Sequence, residues 1–319
     1  MQKKNAAGIL SVLFSVFVWG ISFVSTKVVL NELAPMTIAL FRQLIAIIPL
    51  LLLMKLNKES FKLDKGEFKT FLIASVFGIV LYFLFENTGL TLTSASNASM
   101  LVAAIPVFAL IAESIVKKAR MELPSLICIL SSILGVYFVI FEHGVFDFSS
   151  SSFIGNLFVL GAMASWIVYT FISTRLGQKY SSIKMTAVQT LMSIPLFVPF
   201  AASEFKQIKL PSLTALLNIL FLGIFCSALA YVFYLYGMQK LGPVLPSAFL
   251  NLTPVVTVLA GMLFLSEALT LFQFIGAVLI IGSLMLLSFM KLKKPAKKAF
   301  EAIPQEGNPV KAEPDSVET

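Results

Sequence analysis

The sequence predicts an all-α integral membrane protein in which ten transmembrane helices form two inverted five-helix repeats. Hydrophobic residues make up 58% of the 319 residues and charged residues only 13%, and the mean hydropathy is +0.93. This composition is too apolar for a water-soluble globule. Apolar stretches of about 20 residues, the length that crosses a bilayer, follow one another along the chain. In addition, a pattern of residues recurs 148 positions later.

The recurring pattern occupies residues 85–106, FENTGLTLTSASNASMLVAAIP, and 233–254, FYLYGMQKLGPVLPSAFLNLTP. The matched pairs are Phe85 and Phe233, Gly89 and Gly237, Ser99 and Ser247, and Pro106-Val107 and Pro254-Val255. The same offset pairs Ser25-Thr26-Lys27 with Ser173-Thr174-Arg175. A period this long indicates two duplicated halves and not a solenoid of short repeats.

The apolar stretches divide the chain in order, with boundaries good to a few residues. We number them spans 1 to 10, and they cover residues 8–30, 35–54, 68–90, 96–116, 123–141, 154–175, 185–203, 213–238, 244–265 and 270–290. Because five crossings is an odd number, the second repeat enters the membrane from the opposite side, which gives an inverted repeat. The predicted units are residues 1–147 and 148–290, followed by a tail at 291–319.

Basic residues indicate how the chain is oriented. They concentrate in the loops on one side of the predicted membrane, whereas the opposite loops hold only Lys206 and Lys209. The lysine-rich side is expected to be the cytoplasm, so both termini lie inside the cell and the protein lies in the plasma (cell inner) membrane. The tail, which begins KLKKPAKK and is then rich in Pro and Glu, is predicted to be disordered in the cytoplasm. Its lysines either contact anionic lipid headgroups or form an ordinary stop-transfer flank.

Several classes of function are disfavoured. The chain has one histidine, no HExxH motif, and two cysteines, Cys128 and Cys226, that lie within apolar runs. We therefore predict no metal site, no cofactor and no enzyme activity. The net charge of +8 lies in short loops, where membrane orientation explains it better than nucleic-acid binding. The first apolar run is too long for a signal peptide and is predicted to be retained.

Polar side chains inside the spans predict a central cavity. In order along the chain they are Ser15, Trp19, Ser22 and Thr26 in span 1, Tyr82 and Glu86 in span 3, Ser99 in span 4, Trp166, Tyr169, Thr170 and Ser173 in span 6, Ser227, Tyr231 and Tyr234 in span 8, and Ser247, Asn251 and Thr253 in span 9. Residues three or four apart share one helix face. Spans 5 and 10 carry no charge and are placed at the periphery. The alternative is that these small polar residues only pack helices together. Ser131 and Gly135 in span 5 also permit close helix contact, which leaves monomer and dimer open.

Three charged residues fall in one layer of the membrane. Counted at about 1.5 Å per residue, Lys27, Arg42 and Glu86 all lie in the outer third. An unpaired charge in the hydrocarbon region costs on the order of 3 kcal/mol, so a shared polar pocket is economical. The hypothesis is that Glu86 pairs with Lys27 or Arg42 until the charges of a substrate replace that pair. A structural salt bridge, or snorkelling of the lysine to the interface, is the alternative.

Two prolines lie near the middle of equivalent spans. Pro106 in span 4 and Pro254 in span 9 lack an amide proton, so each is expected to free a carbonyl four residues earlier, that of Val102 or Leu250. A free carbonyl at this depth needs a polar neighbour or water, which suits a cavity wall. We predict gating positions here, with a plain packing kink as the alternative.

Several stretches together resemble the EamA-type branch of the drug/metabolite transporter superfamily. They are WGISFVSTK (19–27), the arginine of FRQ (Arg42), ENTGLTLTSASNASML before Pro106-Val107, and TPVVTVLAGMLFLSEALTLFQFIG (253–276). The resemblance covers about residues 8–290 and implies ten helices in inverted repeats and a cavity lined by spans 1–4 and 6–9. It also implies export or facilitated movement of amino acids, related metabolites or drugs by alternating access. The first half departs from the pattern, because Ala119 stands where the offset places a counterpart of Glu267. Glu267 is accordingly expected to cap only span 10.

The resemblance and the polar faces together predict a secondary transporter of a small polar metabolite, such as an amino acid. The alternative is efflux of drugs or lipophilic cations. Aromatic rings would enclose the substrate, Lys27 and Arg42 would attract a carboxylate, and Glu86 would take an amine or a coupling proton. The residues predicted to bind substrate are Trp19, Ser22, Lys27, Arg42, Tyr82, Glu86, Trp166, Tyr169, Thr170, Tyr231, Tyr234 and Asn251.

Overall fold

A computed structural model describes residues 2–116, 123–140, 150–205, 210–242 and 244–293. In these ranges the chain is helical and forms no β-strand. The α-helices are α1 (Gln2–Leu30), α2 (Pro35–Leu56), α3 (Glu67–Ser75), α4 (Tyr82–Leu92), α5 (Ala95–Ala103), α6 (Ile105–Val116), α7 (Leu123–Ile140), α8 (Ser151–Leu176), α9 (Ser182–Glu204), α10 (Leu213–Phe221), α11 (Ala230–Leu241), α12 (Val244–Phe249), α13 (Thr253–Phe264) and α14 (Leu271–Lys293). Of the predicted tail, only 291–293 is described, as the end of α14, and the predicted boundary at 147/148 lies outside the described residues.

Three pairs of consecutive helices are joined by a tighter or wider helical turn and not by a loop. A π-helical segment, Val76–Leu81, connects α3 to α4, and a second one, Leu222–Leu229, connects α10 to α11. A 3₁₀ turn, Leu250–Leu252, lies between α12 and α13. Such turns change the hydrogen-bond register, so carbonyl groups become available to side chains from other helices.

Eight helical stretches of the described chain are long and apolar enough to cross a membrane. They are Ala6–Leu30, Pro35–Leu56, Glu67–Leu92, Leu123–Ile140, Ser151–Leu176, Ser182–Glu204, Leu213–Leu241 and Leu245–Phe264. Each agrees with a predicted span to within a few residues. Predicted span 4 is divided into α5 and α6, and predicted span 10 corresponds to α14, whose apolar part Leu271–Ser283 is shorter. The chain is therefore an all-helical, multi-pass membrane protein.

The prolines predicted as gating positions lie where helices begin. The chain turns at Ala104 between α5 and α6, and Pro106 is the second residue of α6. Pro254 occupies the first turn of α13, after the 3₁₀ turn. Proline is tolerated in the first turn of a helix because the amide there has no intrahelical acceptor. At Leu250 the carbonyl is not free, since it accepts the N–H of Thr253.

Helix pairs pack in a pattern that repeats along the chain. The helix α1 lies against α11, α12 and α13, and α8 lies against α4, α5 and α6, which are the corresponding elements 148 positions away. Likewise α2 packs on the π-helical segment Leu222–Leu229, and α9 packs on Val76–Leu81. The helices α7 and α14 pack extensively on each other. The small residue Gly135, which the sequence left open as a possible dimer contact, lies in this α7–α14 interface within the chain, where a Cβ would come within 2.8 Å of the Gly276 carbonyl oxygen.

Two carboxylates cap the N-terminal ends of distant helices. Glu204 accepts the backbone N–H groups of Met36 and Thr37 at the start of α2, at 3.2 and 2.7 Å. Glu267 accepts those of Ala95 and Ser96 at the start of α5, at 2.9 and 3.0 Å, and also the Ser96 hydroxyl at 2.6 Å. Such caps satisfy amides that have no partner in their own helix and complement the helix dipole. The expectation that Glu267 only caps span 10 is therefore wrong, because the carboxylate lies across the chain on α5.

Two loop contacts at equivalent positions join the halves of the chain. We call them the Tyr180 clamp and the Glu32 clamp. In the first, the backbone N–H of Asp64 donates to Tyr180 Oη at 3.0 Å. In the second, the backbone N–H and hydroxyl of Ser212 donate to Glu32 at 2.7 and 2.6 Å. Both residues of each clamp are 148 positions from their counterparts in the other.

The Tyr180 clamp has further support. Lys179 Nζ forms an ion pair with Glu67 Oε1 at 2.6 Å, and Ser181 donates to Glu59 at 2.7 Å. Lys184 Nζ donates to the Lys62 carbonyl in the same loop. The hydrogen bond to Glu67 raises the pKa of Lys179, whereas the hydrogen bonds from Ser212 lower the pKa of Glu32. The two clamps thus occupy equivalent positions in the two halves, but additional contacts stabilise the Tyr180 clamp.

Candidate functional site

A small cavity lies among helices from both halves of the chain. Its volume is about 30 Å³, room for about two water molecules. The lining residues are Trp19, Ser22 and Phe23 of α1, Arg42 of α2, Tyr82, Phe83 and Glu86 of α4, Val102 of α5, Ile105 of α6, Trp166 of α8, Tyr231 of α11, Leu250 of the 3₁₀ turn and Thr253 of α13. None of these lining residues comes from α7, α9 or α14.

Aromatic rings form most of one side of the cavity. Trp19 and Trp166 are the only tryptophans of the chain, and they contact edge to face with ring centroids 5.5 Å apart. Tyr231 contacts both of them, and Tyr82 contacts Trp166 at 5.2 Å. Such pairs favour edge-to-face or tilted geometry because each ring has a negative face and a positive edge.

The π-helical segments anchor two of these rings. Trp19 Nε1 donates to the carbonyl of Cys226 at 3.1 Å, and Tyr231 Oη donates to the carbonyl of Gly78 at 3.0 Å. Cys226 and Gly78 are 148 positions apart and belong to the two π-helical segments. Each ring therefore reaches from one half of the chain to a carbonyl of the other half.

Two ionisable side chains are buried at the cavity. Arg42 is 2% exposed, its Nε donates to Ser227 Oγ at 2.8 Å, and its guanidinium carbon lies 4.0 Å from the centroid of the Phe83 ring. Glu86 is 5% exposed and accepts the hydroxyl of Tyr82 at 2.9 Å. The two charged groups line the same cavity without forming an ion pair within 4 Å of each other.

Lys27, which was expected in the same pocket, lies elsewhere. Its Nζ donates to the carbonyl oxygens of Leu90 and Thr93 at 2.6 and 2.7 Å, at the C-terminal end of α4. It shares a wide polar cleft of about 470 Å³ with Glu267, which caps the start of α5. The hypothesised pairing of Glu86 with Lys27 or Arg42 is thus absent from this structure. Lys27 and Glu267 hold the turn between α4 and α5 from its two ends.

The other predicted binding residues divide into two groups. Trp19, Ser22, Arg42, Tyr82, Glu86, Trp166 and Tyr231 line the cavity. Tyr169 and Tyr234 do not line it, although both rings contact Trp166, at 5.1 and 6.0 Å. Thr170 donates to the Trp166 carbonyl of its own helix at 2.9 Å. Asn251 is 5% exposed between the lining residues Leu250 and Thr253, and its side-chain oxygen has no hydrogen-bond partner among the described residues.

Sequence reasoning missed several residues of the site. Phe23, Phe83 and Ile105 line the cavity but are apolar, and nothing distinguishes them from the other apolar residues of a chain with 30 phenylalanines. Val102 and Leu250 also line the cavity, and the sequence singled them out only for their carbonyl groups. Thr253 and Ser227 carried a signal, since each was noted as a polar residue within an apolar span. Within the described residues, no group of three or more His, Cys, Asp or Glu side chains could hold a metal ion, and both cysteines are free and buried.

Comparisons with known proteins agree with this architecture. The model of the EamA-like transporter family matches residues 6–141 and again residues 153–289. An uncharacterized transporter of Archaeoglobus fulgidus is 30% identical over 264 residues, which cover 82% of this chain and 92% of that protein. The uncharacterized transporter YdfC of Bacillus subtilis is 26% identical over 298 residues, 93% of this chain and 95% of its own.

The fold also occurs among solved structures. One crystal structure superimposes with a TM-score of 0.64, covers 89% of this chain and 99% of that one, and is 17% identical in sequence. At that identity the likeness concerns the fold alone.

Proposed function

This chain belongs to the EamA-like transporter family of membrane proteins, and from that premise we propose that it exports a small polar metabolite, an amino acid or a related compound. In this proposal the metabolite binds in the central cavity, which opens alternately to the two sides of the membrane. The observation that carries the proposal is the burial of Arg42 and Glu86 at one ring-lined cavity. Ionisable residues inside a membrane are costly and mark substrate or proton pathways.

The chemistry of the lining suits a zwitterion. The Arg42 guanidinium offers planar donors for a carboxylate, and Glu86 offers acceptors for an ammonium group or a binding site for a coupling proton. The ring faces of Trp19, Trp166 and Tyr231 add cation–π contact with the ammonium. A ligand with both charges would satisfy both buried groups at once. The unpartnered oxygen of Asn251 is a further acceptor next to the lining.

The size of the cavity supports a conformational cycle. Room for about two water molecules is too small for an amino acid, so helices and rings must separate before a ligand can enter. The rings of Trp19 and Tyr231 are each fixed to a carbonyl of the other half of the chain. Movement of one half relative to the other would therefore open the cavity and displace its aromatic lining together.

The internal offset supports ten spans in two inverted repeats. The family model matches twice, and its two matches begin 147 residues apart. The Gly78 and Cys226 carbonyls play the same role in the two halves, and the Tyr180 and Glu32 clamps occupy equivalent positions. An odd number of crossings per half would place these clamps on opposite faces of the membrane. The distribution of Lys and Arg supports an orientation with the Tyr180 clamp and both termini on the cytoplasmic side of the plasma membrane.

A second candidate function is efflux of lipophilic cations. The aromatic lining and Glu86 favour it, because a large cation can contact several ring faces and a carboxylate. Arg42 opposes it, since its charge faces the same cavity and would repel a cation that brings no anionic group. Transport of an amino acid without transport of a simple cation would decide between the two.

Purified protein in liposomes tests these proposals. We expect uptake or release of at least one of the twenty labelled amino acids and none of tetraphenylphosphonium, whereas the reverse result would favour cation efflux. Glu86→Gln is expected to alter both the rate and its pH dependence, because the replaced group can bind a proton or an amine. A pH profile that is identical to that of the unmodified protein would refute proton coupling through Glu86. Because both tryptophans line the cavity, ligand binding should also change the intrinsic fluorescence.

A further inference from the structure

Arg42 is held in one orientation by groups from two other elements. Its Nε donates to Ser227 Oγ at 2.8 Å, and its guanidinium lies on the Phe83 ring at 4.0 Å. These contacts leave the two terminal Nη groups without a hydrogen-bond partner among the described residues. Arg42 nevertheless lines the cavity and is 2% exposed. A buried guanidinium with two uncommitted NH2 groups at a cavity is a receptor for an oxyanion.

We infer that Ser227 is a positioning residue that fixes Arg42 so that both Nη groups face the cavity as the receptor for a carboxylate of the transported molecule. The inference rests on the proposed function and adds to it a specificity-determining residue outside the lining. Ser227 acts through Arg42 and does not itself line the cavity. Because the serine hydroxyl occupies Nε, a carboxylate is left with the end-on approach to the Nη pair and loses the side-on approach through Nε and one Nη.

The π-helical segment Leu222–Leu229 places Ser227 at this position. It packs on α2 at the level of Arg42, and Gly223 allows the close approach, since a Cβ there would lie 2.5 Å from Ile45 Cγ2 and 3.1 Å from the Arg42 carbonyl oxygen. Ser227 lies four residues further on in the same segment. The neighbouring carbonyl of Cys226 accepts Trp19. One segment therefore orients both the cationic group and one ring of the cavity.

Loss of the Ser227 hydroxyl should affect one end of the ligand only. Without the hydroxyl, the Arg42 side chain regains rotational freedom, and its Nε–H must seek another acceptor. The carboxylate then binds an arginine that is no longer preorganised, so affinity falls before the rate of the conformational cycle does. Glu86 and the rings, which contact the other end of the ligand, are unchanged. A purely structural role of Ser227 would instead lower the amount of folded protein or the maximal rate for every substrate.

The experiment measures transport kinetics in liposomes with the unmodified chain, Ser227→Ala, Ser227→Thr and Ser75→Ala. The control Ser75 is also buried, and its hydroxyl also joins two helices, donating to the Gln189 carbonyl at 2.8 Å, but it does not contact Arg42. The probes are the twenty amino acids and, for each that is transported, the matched amine that lacks the carboxylate, which is used as a competitive inhibitor at concentrations high enough to overcome its repulsion by Arg42. We expect Ser227→Ala to raise the apparent KM for the amino acid about tenfold with the maximal rate within twofold, while the inhibition constant of the amine stays unchanged. Ser227→Thr, which keeps the hydroxyl, and Ser75→Ala should keep the original KM.

Each result decides between the proposals. If the unmodified chain transports none of the probes, the proposed function fails and this inference fails with it. If the unmodified chain transports an amino acid but Ser227→Ala leaves its KM unchanged, lowers only the maximal rate, or affects the amine equally, the inference alone is overturned. An equal rise of KM in Ser75→Ala would overturn it as well. Should Ser227→Ala not yield folded protein, Ser227→Cys takes its place, because the thiol keeps the size but is a weaker acceptor, and the same selective rise in KM is required.

Discussion

Replacing Gly155 by alanine should loosen the contact between α8 and α4. At this position a Cβ would lie 2.8 Å from Leu92 Cβ and 2.9 Å from both the Gly89 carbonyl oxygen and the Thr93 amide nitrogen. The ordinary lower limit for such contacts is 3.4 Å, so the two helices must separate by about 0.6 Å. Two of the three neighbouring atoms belong to the backbone and cannot rotate away. The same glycine lets the Asn156 side chain accept Thr93 Oγ1 at 2.8 Å.

The expected loss of stability in Gly155→Ala is obtained by comparison with a glycine in another helix. Gly282 in α14 has nothing within 4 Å of the position of its Cβ, so Gly282→Ala should change stability only through the higher helix propensity of alanine, by about 1 kcal/mol at most. Gly155→Ala has the same gain in helix propensity, but the new methyl group also overpacks the contact. Overpacking costs about 1–3 kcal/mol, and the cost lies toward the upper end of this range where the methyl group clashes with backbone atoms. We expect Gly155→Ala to be about 2–3 kcal/mol less stable than Gly282→Ala.

Equilibrium unfolding of both variants by dodecyl sulfate in mixed micelles, followed by circular dichroism, measures this difference. The comparison uses one substitution type in two helices, so effects of the detergent on helix propensity cancel. Equal stability of the two variants within about 0.5 kcal/mol would contradict the close contact between α4 and α8. If Gly155→Ala had normal stability but no transport, the substitution would act on the α4–α5 turn and not on the helix contact. Lys27 also binds the Thr93 carbonyl in this turn.

Three further predictions concern the clamps, their dependence on pH, and the turn between α4 and α5. Glu67→Gln should increase the reactivity of cysteines introduced on the Tyr180 side of the cavity, and Glu32→Gln should increase the reactivity of cysteines introduced on the opposite side. If both variants increased cysteine reactivity on the same side, the assignment of the clamps to opposite faces would be wrong. The pKa of Lys179 is raised and that of Glu32 is lowered, so the ion pair should weaken as the pH rises through the lysine pKa and the Glu32 clamp as the pH falls through the glutamate pKa. Glu267→Gln should lower stability by about 0.5–2 kcal/mol, because the amide binds the α5 amides less strongly than a carboxylate does, and calorimetry of the reconstituted protein that shows no change would refute the capping role.

The sequence predicted the parts of the site that depend on one helix. Trp19 and Ser22, or Tyr82 and Glu86, share a face because three or four residues separate them, and the structure places both pairs at the cavity. The common depth of the three charged residues in the membrane stays a prediction from the rise per residue. The direction in which a side chain points around the helix bundle could not be predicted. Lys27 was assigned the depth of Arg42 and Glu86, yet its side chain turns to the end of α4, because the carbonyls there offer two acceptors.

Contacts between distant parts of the chain could not be predicted. Ser227 reaches Arg42 across 185 positions and Glu267 reaches Ser96 across 171, and neither partner carries a local signal for the other. The π-helical segments VFGIVL and LGIFCSAL contain no proline, and their apolar pattern does not differ from that of an α-helix. They become visible only through the side chains that their carbonyls bind, Tyr231 at Gly78 and Trp19 at Cys226.

The unequal clamps bear on how a duplicated chain acquires a resting conformation. Two identical halves would make the inward-closed and outward-closed states equal in free energy, so a directional bias requires a difference between equivalent positions. The clamps differ in this way. At the Tyr180 clamp, Lys179 and Glu67 add an ion pair and Ser181 adds a hydrogen bond to Glu59. The Glu32 clamp depends on the hydrogen bonds from Ser212. In the proposed cycle with inverted repeats, the Tyr180 clamp would hold its face of the protein shut at rest. A ligand would then have to bind the alternative state more tightly, by at least the difference in free energy between the clamps, in order to move the chain.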